Sequence, residues 1–404
     1  MNIVSKNNIQ NFIIILTSYF LYKKFGGTFL SLMPNLLLML IMIILSLKSD
    51  YKLIKSNIIH LVFLLLVLLL FSILWSDAPN YGLKKIINVF ITCILFYIIF
   101  ETINKKFELF FYTNIIFWII FILNLYIEFG SFLNLLNSLD LRFRLGMEMG
   151  ESISSLHPIS ITRYLGFLLL SLITWVIIVK RFNINLYFYF LSLPLILISI
   201  IYMFFSGTKA PILALVLSII TFIIFSKNSK RIYSLIFFII SSIILIIYTT
   251  IDIKSTNLLT KDQKTYIEYR FFSSDKGIED RSYQNLRAIN SIDENNFLFG
   301  AGSGDFAYLY NKKDTRDYPH NIFSEILYEN GIFAVAILLF MYFYILYLFS
   351  KSINYKTITF SMFYFYFFFN SLFSGDLISN NLIFGFFILS VLSYKSEKSN
   401  QIKE

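Results

Sequence analysis

Residues 331–350 read GIFAVAILLFMYFYILYLFS, a run without a single charge. As an α-helix rising about 1.5 Å per residue, such a run covers roughly 30 Å, the thickness of a bilayer's hydrocarbon core. Immediately before it stands DYPHNIFSEILYENG, residues 317–331, which holds one of the chain's three histidines and two glutamates four residues apart. A membrane span fed by a short polar-faced helix is the reading that organises the rest of the chain.

Working outward, the same apolar texture recurs. Of 404 residues, 57% are hydrophobic and 14% charged, where soluble domains carry about 25% charged residues. The fold class predicted is therefore an all-α integral membrane protein. Apolar runs predict spans near 9–22, 28–47, 57–75, 86–100, 107–129, 161–179, 184–205, 210–226, 232–252, 331–350, 356–374 and 377–393, about 12 transmembrane helices. No small-residue cleavage site follows the first, which reads as an uncleaved anchor. Placing both termini in the cytoplasm gives the inner segments the majority of Lys and Arg, among them Lys105, Lys106, Lys227, Lys230, Arg231, Lys351, Lys356 and Lys395. The outer loops then hold fewer, including Lys84, Lys85, Arg163 and Lys209.

This topology puts two longer segments outside, about 130–160 and 253–330. Residues 1–404 read as one polytopic domain, with 253–330 an extracytoplasmic insert between the ninth and tenth spans. A loop that long is usually functional or disordered, and a helical pattern from Asp280 onward, with Leu286, Ile289 and Ile292 on one stripe, predicts order. The net charge of +10 follows from membrane orientation. No basic run interleaved with aromatics suggests nucleic acid. The single cysteine, Cys93, excludes an internal disulfide, and no Cys/His spacing supports a structural metal. Neither a cofactor nor a metal is expected.

Within the opening stretch, Pro319 suits the first turn of a helix and Asp317 its cap. Asn321, Glu325 and Glu329 would then stack at four-residue steps, beside a row of His320, Ser324 and Tyr328. This pattern predicts a polar stripe turned to water, with Ile322, Phe323, Ile326 and Leu327 on the other side. A solvated interfacial helix explains such a stripe without any chemistry.

Other residues add chemistry. In SGTKAP, Lys209 stands at the outer start of a span, where the helix dipole is already positive. A bound anion would accommodate both; a lysine snorkelling to lipid phosphates is the plain alternative. Arg281 and Arg287 lie in the insert, and guanidinium forks suit diphosphates. GAGSGDF, residues 300–306, lacks the strand and helix of a nucleotide-binding turn and reads as a tight turn.

The ordered set SGTKAP, EDRSYQNLRAI, FLFGAGSGDF and HNIFSEILYENGI is similar to the bacterial O-antigen ligase/O-antigen polymerase family, over roughly residues 203–340. The resemblance implies a glycosyltransferase of the cytoplasmic (inner) membrane, working on its extracytoplasmic face on undecaprenyl-diphosphate-linked oligosaccharides. It puts the family's catalytic histidine on His320, its loop arginine on Arg281 and its basic residue after the small-residue turn on Lys209, a position where the family more often has arginine. Substrate-binding positions follow at Arg287, and at Asn321 and Glu325, which would hold hydroxyls or the helix end. LHPISITRYLGF, with His157 and Arg163, resembles the family's earlier outer motif. A polymerase joining repeat units is expected, by inverting, metal-independent transfer, with a ligase passing glycan to lipid A core as the alternative. Membrane lipids, a chain-length regulator and a flippase are the partners implied. A lipid-oligosaccharide flippase is the reading from another class, but the chain shows neither repeats nor mid-membrane charges. A polyprenyl-phosphate-sugar transferase would need an acid in the first outer loop, where KKFGGT has none.

Overall fold

A computed structural model describes residues 6–26, 41–42, 44–45, 56–129, 158–178, 195–200, 203, 209–225, 276–352 and 354–401. Among these the regular structure is helical: α1 (Lys6–Gly26), α2 (Ile59–Ser72, continued by a 3₁₀ turn Ile73–Trp75), α3 (Pro79–Lys105), α4 (Phe107–Phe129), α5 (Pro158–Ile178), α6 (Lys209–Phe225), α7 (Lys276–Asn290), α8 (Asp305–Asn311), α9 (Ile322–Lys351), α10 (Tyr355–Phe373) and α11 (Leu382–Gln401). Apart from α7 and α8, each overlaps an expected span, with α11 shifted toward the C-terminus and α3 and α9 longer than expected. The spans expected at 28–47, 184–205 and 232–252, and residues 130–157 and 226–275, lie wholly or mostly outside the described residues.

Two of these helices, α3 and α9, are long and apolar enough to cross a membrane. The face of α9 that no other described helix covers is apolar and aromatic: among the described residues Phe333, Phe340, Phe343 and Tyr347 are exposed, as are Leu64, Val67, Leu70 and Phe71 on α2. An exposed surface of this kind suits lipid, since a soluble monomer rarely shows a large apolar patch.

Helices α3, α5, α10 and α11 meet on an aromatic core. Phe367 stacks on Phe386 at 5.4 Å, Phe167 lies 4.7 Å from Phe363, and Phe96 meets Phe386 edge-on at 5.5 Å. Offset and edge-to-face pairs of this kind contribute about 0.5–1.5 kcal/mol each beyond buried area. Small polar side chains bridge helices: Ser18 to Thr113 at 2.6 Å and Asn381 to Thr92 at 2.9 Å. Such bonds replace the hydrophobic drive that lipid cannot supply between helices.

The bundle has two chemically distinct ends. At one, Lys106 at the end of α3 donates to Asn7 at the start of α1, Lys356 at the start of α10 donates to the Asn104 carbonyl, and Ser352 after α9 reaches Glu397 on α11 at 2.9 Å. At the other, the Asp314 carboxylate accepts from the first backbone N–H groups of α3, Asn80 and Tyr81, both at 2.9 Å. The α10–α11 turn and the segment before α9 lie at this second end. Phe222 contacts Phe349 at 5.9 Å, so the C-terminal end of α6 lies toward the first end and Lys209 toward the second.

Of the insert 253–330, the described part begins at Lys276. The helix expected from Asp280 is present as α7, although Leu286 and Ile289 of its apolar stripe are exposed. The GAGSGD segment is a turn, as expected: Gly300, Gly302 and Gly304 all take positive φ. It lies against α9, with the N–H groups of Ala301 and Gly302 donating to the carbonyls of Tyr328 and Glu329 at 2.8 and 2.9 Å.

Candidate functional site

The opening stretch departs from its sequence pattern in two ways. First, the helix begins at Ile322 rather than at Pro319, and its cap is Asn321, whose Oδ1 accepts from the N–H of Phe323 at 2.8 Å. Asp317 caps nothing here and instead receives Asn311 and Thr315. Pro319 is buried in the strap 312–320, which runs from the end of α8 to this cap.

Second, the expected wet stripe is buried. Glu325 and Glu329 are each 1% exposed, and the Lys85 side chain of α3, also 1% exposed, reaches this face, 2.6 Å from Glu325 and 2.7 Å from Glu329. Lys85, expected in an outer loop, lies in the second turn of α3, which begins at Pro79. Glu329 also accepts from the Gly304 N–H at 2.8 Å, and Glu325 from that of Leu377 at 3.3 Å. A hydrophobicity pattern cannot distinguish a polar face that meets water from one that meets a buried counter-charge. At Gly331, φ 76° and ψ −177° break α9 into the capped first segment and the span. The left-handed φ there suits glycine, and an added Cβ would lie 2.2 Å from the Leu298 carbonyl oxygen.

His320 occupies the end of the strap with φ 64°. A non-glycine residue in this region is uncommon and stores of order 1–3 kcal/mol, held only where surroundings over-determine it. Its ring packs on that of Tyr318 at 4.5 Å, and its Nδ1 is buried without a hydrogen-bond partner. Burial and the positive charges of Arg281, Arg163 and Arg316, opposed by Asp376, lower its pKa from the ordinary 6.5 to about 4. The imidazole is therefore neutral at physiological pH and able to take a proton.

Three elements supply that positive field. Arg281 comes from α7, docked on α9 through the Ser324 hydroxyl and Asn285 Oδ1 at 2.7 Å. Arg163 comes from α5, buried, with Nε donating to Asn370 at 3.0 Å and a terminal nitrogen to the Ser374 carbonyl at 2.6 Å. Arg316 comes from the strap itself, its fork paired with both oxygens of Asp376 at 3.1 Å. Asp376, in the α10–α11 turn, also accepts from the Tyr81 hydroxyl and from Ser379. Burial opposes ionisation of Asp376, but Arg316 and these hydrogen bonds outweigh it and hold the carboxyl well below the usual range.

The structure thus brings His320, Arg281 and Arg163 together. Lys209 opens α6 at the same end of the bundle with its side chain exposed, but is not among the charges acting most strongly on His320. Arg287 donates to the Leu309 carbonyl at 2.8 Å and stands over Tyr310, tying α7 to α8. Asn321 is occupied by its capping role and Glu325 by Lys85. His157 lies outside the described residues. Arg316, Asp376, Tyr318 and Tyr81 were not singled out from sequence. The arginine three residues before PHN was the available signal, and nothing local marks Asp376, some 56 residues beyond His320 in the chain.

Among the described residues no cluster of His, Cys, Asp and Glu suits a metal ion. The arrangement offers a neutral base facing guanidinium groups at the end of a helical bundle. It can deprotonate a hydroxyl and stabilise negative charge developing nearby. Residues 194–340 match a family model described as O-antigen ligase, which bears out the resemblance read from the sequence. The matched segment contains Lys209, Arg281, Arg287, His320, Asn321 and Glu325, and leaves Arg163, Asp376 and Lys85 outside it. No curated protein matches the chain.

Proposed function

We propose that the chain, whose residues 194–340 match a family model described as O-antigen ligase, transfers a glycan from a polyprenyl-diphosphate carrier to a sugar hydroxyl at the outer face of the cytoplasmic membrane. The observation that supports this most is the neutral His320 imidazole within the field of Arg281, Arg163 and Arg316. In the step proposed, the acceptor's hydroxyl proton passes to a ring nitrogen of His320. The acceptor oxygen forms a bond to the anomeric carbon as that carbon's bond to the diphosphate oxygen breaks, which inverts the centre. The electron pair leaves with the diphosphate, whose charge Arg281 stabilises, with Lys209 at the α6 N-terminus contributing from the same side. The carrier's polyprenyl tail stays in the bilayer beside the apolar faces of α2 and α9.

The acceptor is either a second lipid-linked repeat unit, as in a polymerase, or a lipid A core, as in a ligase. Surface glycan of a deletion strain separates the two: single-repeat chains indicate polymerase, and full polymer left on the carrier lipid indicates ligase. For the chemistry itself, purified protein in detergent with a lipid-linked oligosaccharide is the test. His320→Gln is expected to lower turnover by about 10²–10⁴-fold while the protein stays folded, and Arg281→Ala by about 10²-fold. Near-normal turnover in His320→Gln would remove the base from this reading.

A further inference from the structure

We infer that the Arg316–Asp376 ion pair is a latch that holds His320 in its working position, so that both are positioning residues for the transfer. The inference rests on the proposed role of His320, but its geometry stands independently.

Asp376 is a fixed point. Its side chain is fully buried, and three groups hold it: the Tyr81 hydroxyl from α3, and the N–H and hydroxyl of Ser379 in its own turn. Arg316 grips it with two parallel bonds at 3.1 Å, the fork geometry that fixes orientation as well as distance. Three residues separate Arg316 from His320. Between them the Tyr318 ring contacts both, with the Arg316 guanidinium 5.7 Å from its centroid and the His320 ring 4.5 Å away. An unbroken line of contacts therefore runs from the α10–α11 turn to the imidazole.

The backbone gives the reason for such a line. His320 sits at φ 64°, and a residue so strained needs restraint on both sides. On its C-terminal side the Asn321 cap supplies this. On its N-terminal side Asp314 ties the start of the strap to the α3 N-terminus and Asp317 folds it on Asn311 and Thr315, while the latch ties it to the α10–α11 turn. Because its fork is spent on Asp376, Arg316 is a poor candidate for gripping diphosphate. The charges facing His320 are Arg281 from α7, Arg163 from α5, Arg316 from the strap and Asp376 from the α10–α11 turn, and releasing the latch rearranges the last two.

The test compares Arg316→Met, Arg316→Lys, Asp376→Asn and the Arg316→Met/Asp376→Asn double variant, purified in detergent. One readout needs no substrate: the rate at which diethyl pyrocarbonate modifies His320, followed by peptide mass spectrometry. The other is steady-state transfer. Arg316→Met, at a half-exposed position, is expected to fold, to speed modification several-fold, and to lower kcat on the order of 10- to 100-fold with little change in KM, the signature of a misplaced group. Arg316→Lys should fall between, and the double variant should be no worse than the poorer single. Unchanged modification and kcat in Arg316→Met, or losses that multiply in the double variant, would overturn the latch, and the Arg316→Met result decides alone if Asp376→Asn does not fold. If His320→Gln keeps its turnover, the transfer reading fails while the modification rates still judge the latch.

Discussion

A histidine acting as a base at neutral pH needs no help to lose its proton, since an unperturbed imidazole titrates near 6.5. In this site burial and three guanidinium groups move it further, to about 4, which trades basicity for a fully neutral population. The pH profile follows from the sign of that shift. With His320 as the proposed base, transfer needs the neutral form, so kcat/KM is predicted to stay level from neutral pH downward and to fall only as pH drops through about 4. Arg281→Ala removes one like charge and leaves burial in place, so its residual activity should show the acid limb at higher pH, still below 6.5. A wild-type limb near 6.5 would mean that His320 is solvated in the working enzyme. The sequence singled out His320 through the resemblance carried by HNIFSEILYENGI, since the polar stripe alone fits a solvated helix as well. Its environment was legible only in part: Arg163 was singled out in LHPISITRYLGF, but Arg316 was not, and nothing local marks Asp376, which acts on it from the α10–α11 turn.

At the scale of elements, α9 shows most plainly what a periodic pattern conceals. Glu325 and Glu329 at a four-residue step announced a polar face, and the run from Gly331 a span, and both are there. What covers that face is Lys85, 244 residues upstream of Glu329, and no local signal pairs them. Helix positions at 107–129, 209–225 and 355–373 were readable almost to the residue, since each apolar run marks its own length. The start of α9 was not, because Asn321 and Asp317 are both acceptable caps in sequence and only tertiary contacts choose. Breaking one partner of a buried ion cluster costs about 3–5 kcal/mol. Lys85→Met is therefore predicted to lower thermal stability in detergent sharply, as read by loss of monodisperse protein on heating. Adding Glu325→Gln and Glu329→Gln, which removes the orphaned charges, should restore much of it. A single Lys85→Met variant as stable as wild type would show that the glutamates are protonated or hydrated. Asn321→Ala should cost less, about 0.5–2 kcal/mol for a lost cap, while also loosening the C-terminal restraint on His320.

Across the whole molecule, the knot of Lys106, Asn7, Lys356, Ser352 and Glu397 occupies one end and the His320 site the other. Basic residues favour the cytoplasmic side, so the knot is predicted to face inward and the site outward. Single cysteines at Lys105 and Lys313, in a Cys93→Ser background, test this with a membrane-impermeant thiol reagent on intact cells. Labelling at position 313 alone is the expected result, and labelling at 105 alone would invert the orientation and the location of the transfer with it. The buried cluster of Lys85 with Glu325 and Glu329 also dictates an order of events during synthesis. At about 5–20 residues per second, the ribosome delivers Glu329 some 10 to 50 s after Lys85. For that interval α3 carries an unneutralised cation, which belongs in the aqueous boundary rather than the lipid core. The newborn chain must therefore hold α3 shallow, or shield it, until α9 emerges, and its final seating is a late step that a prematurely terminated chain never reaches.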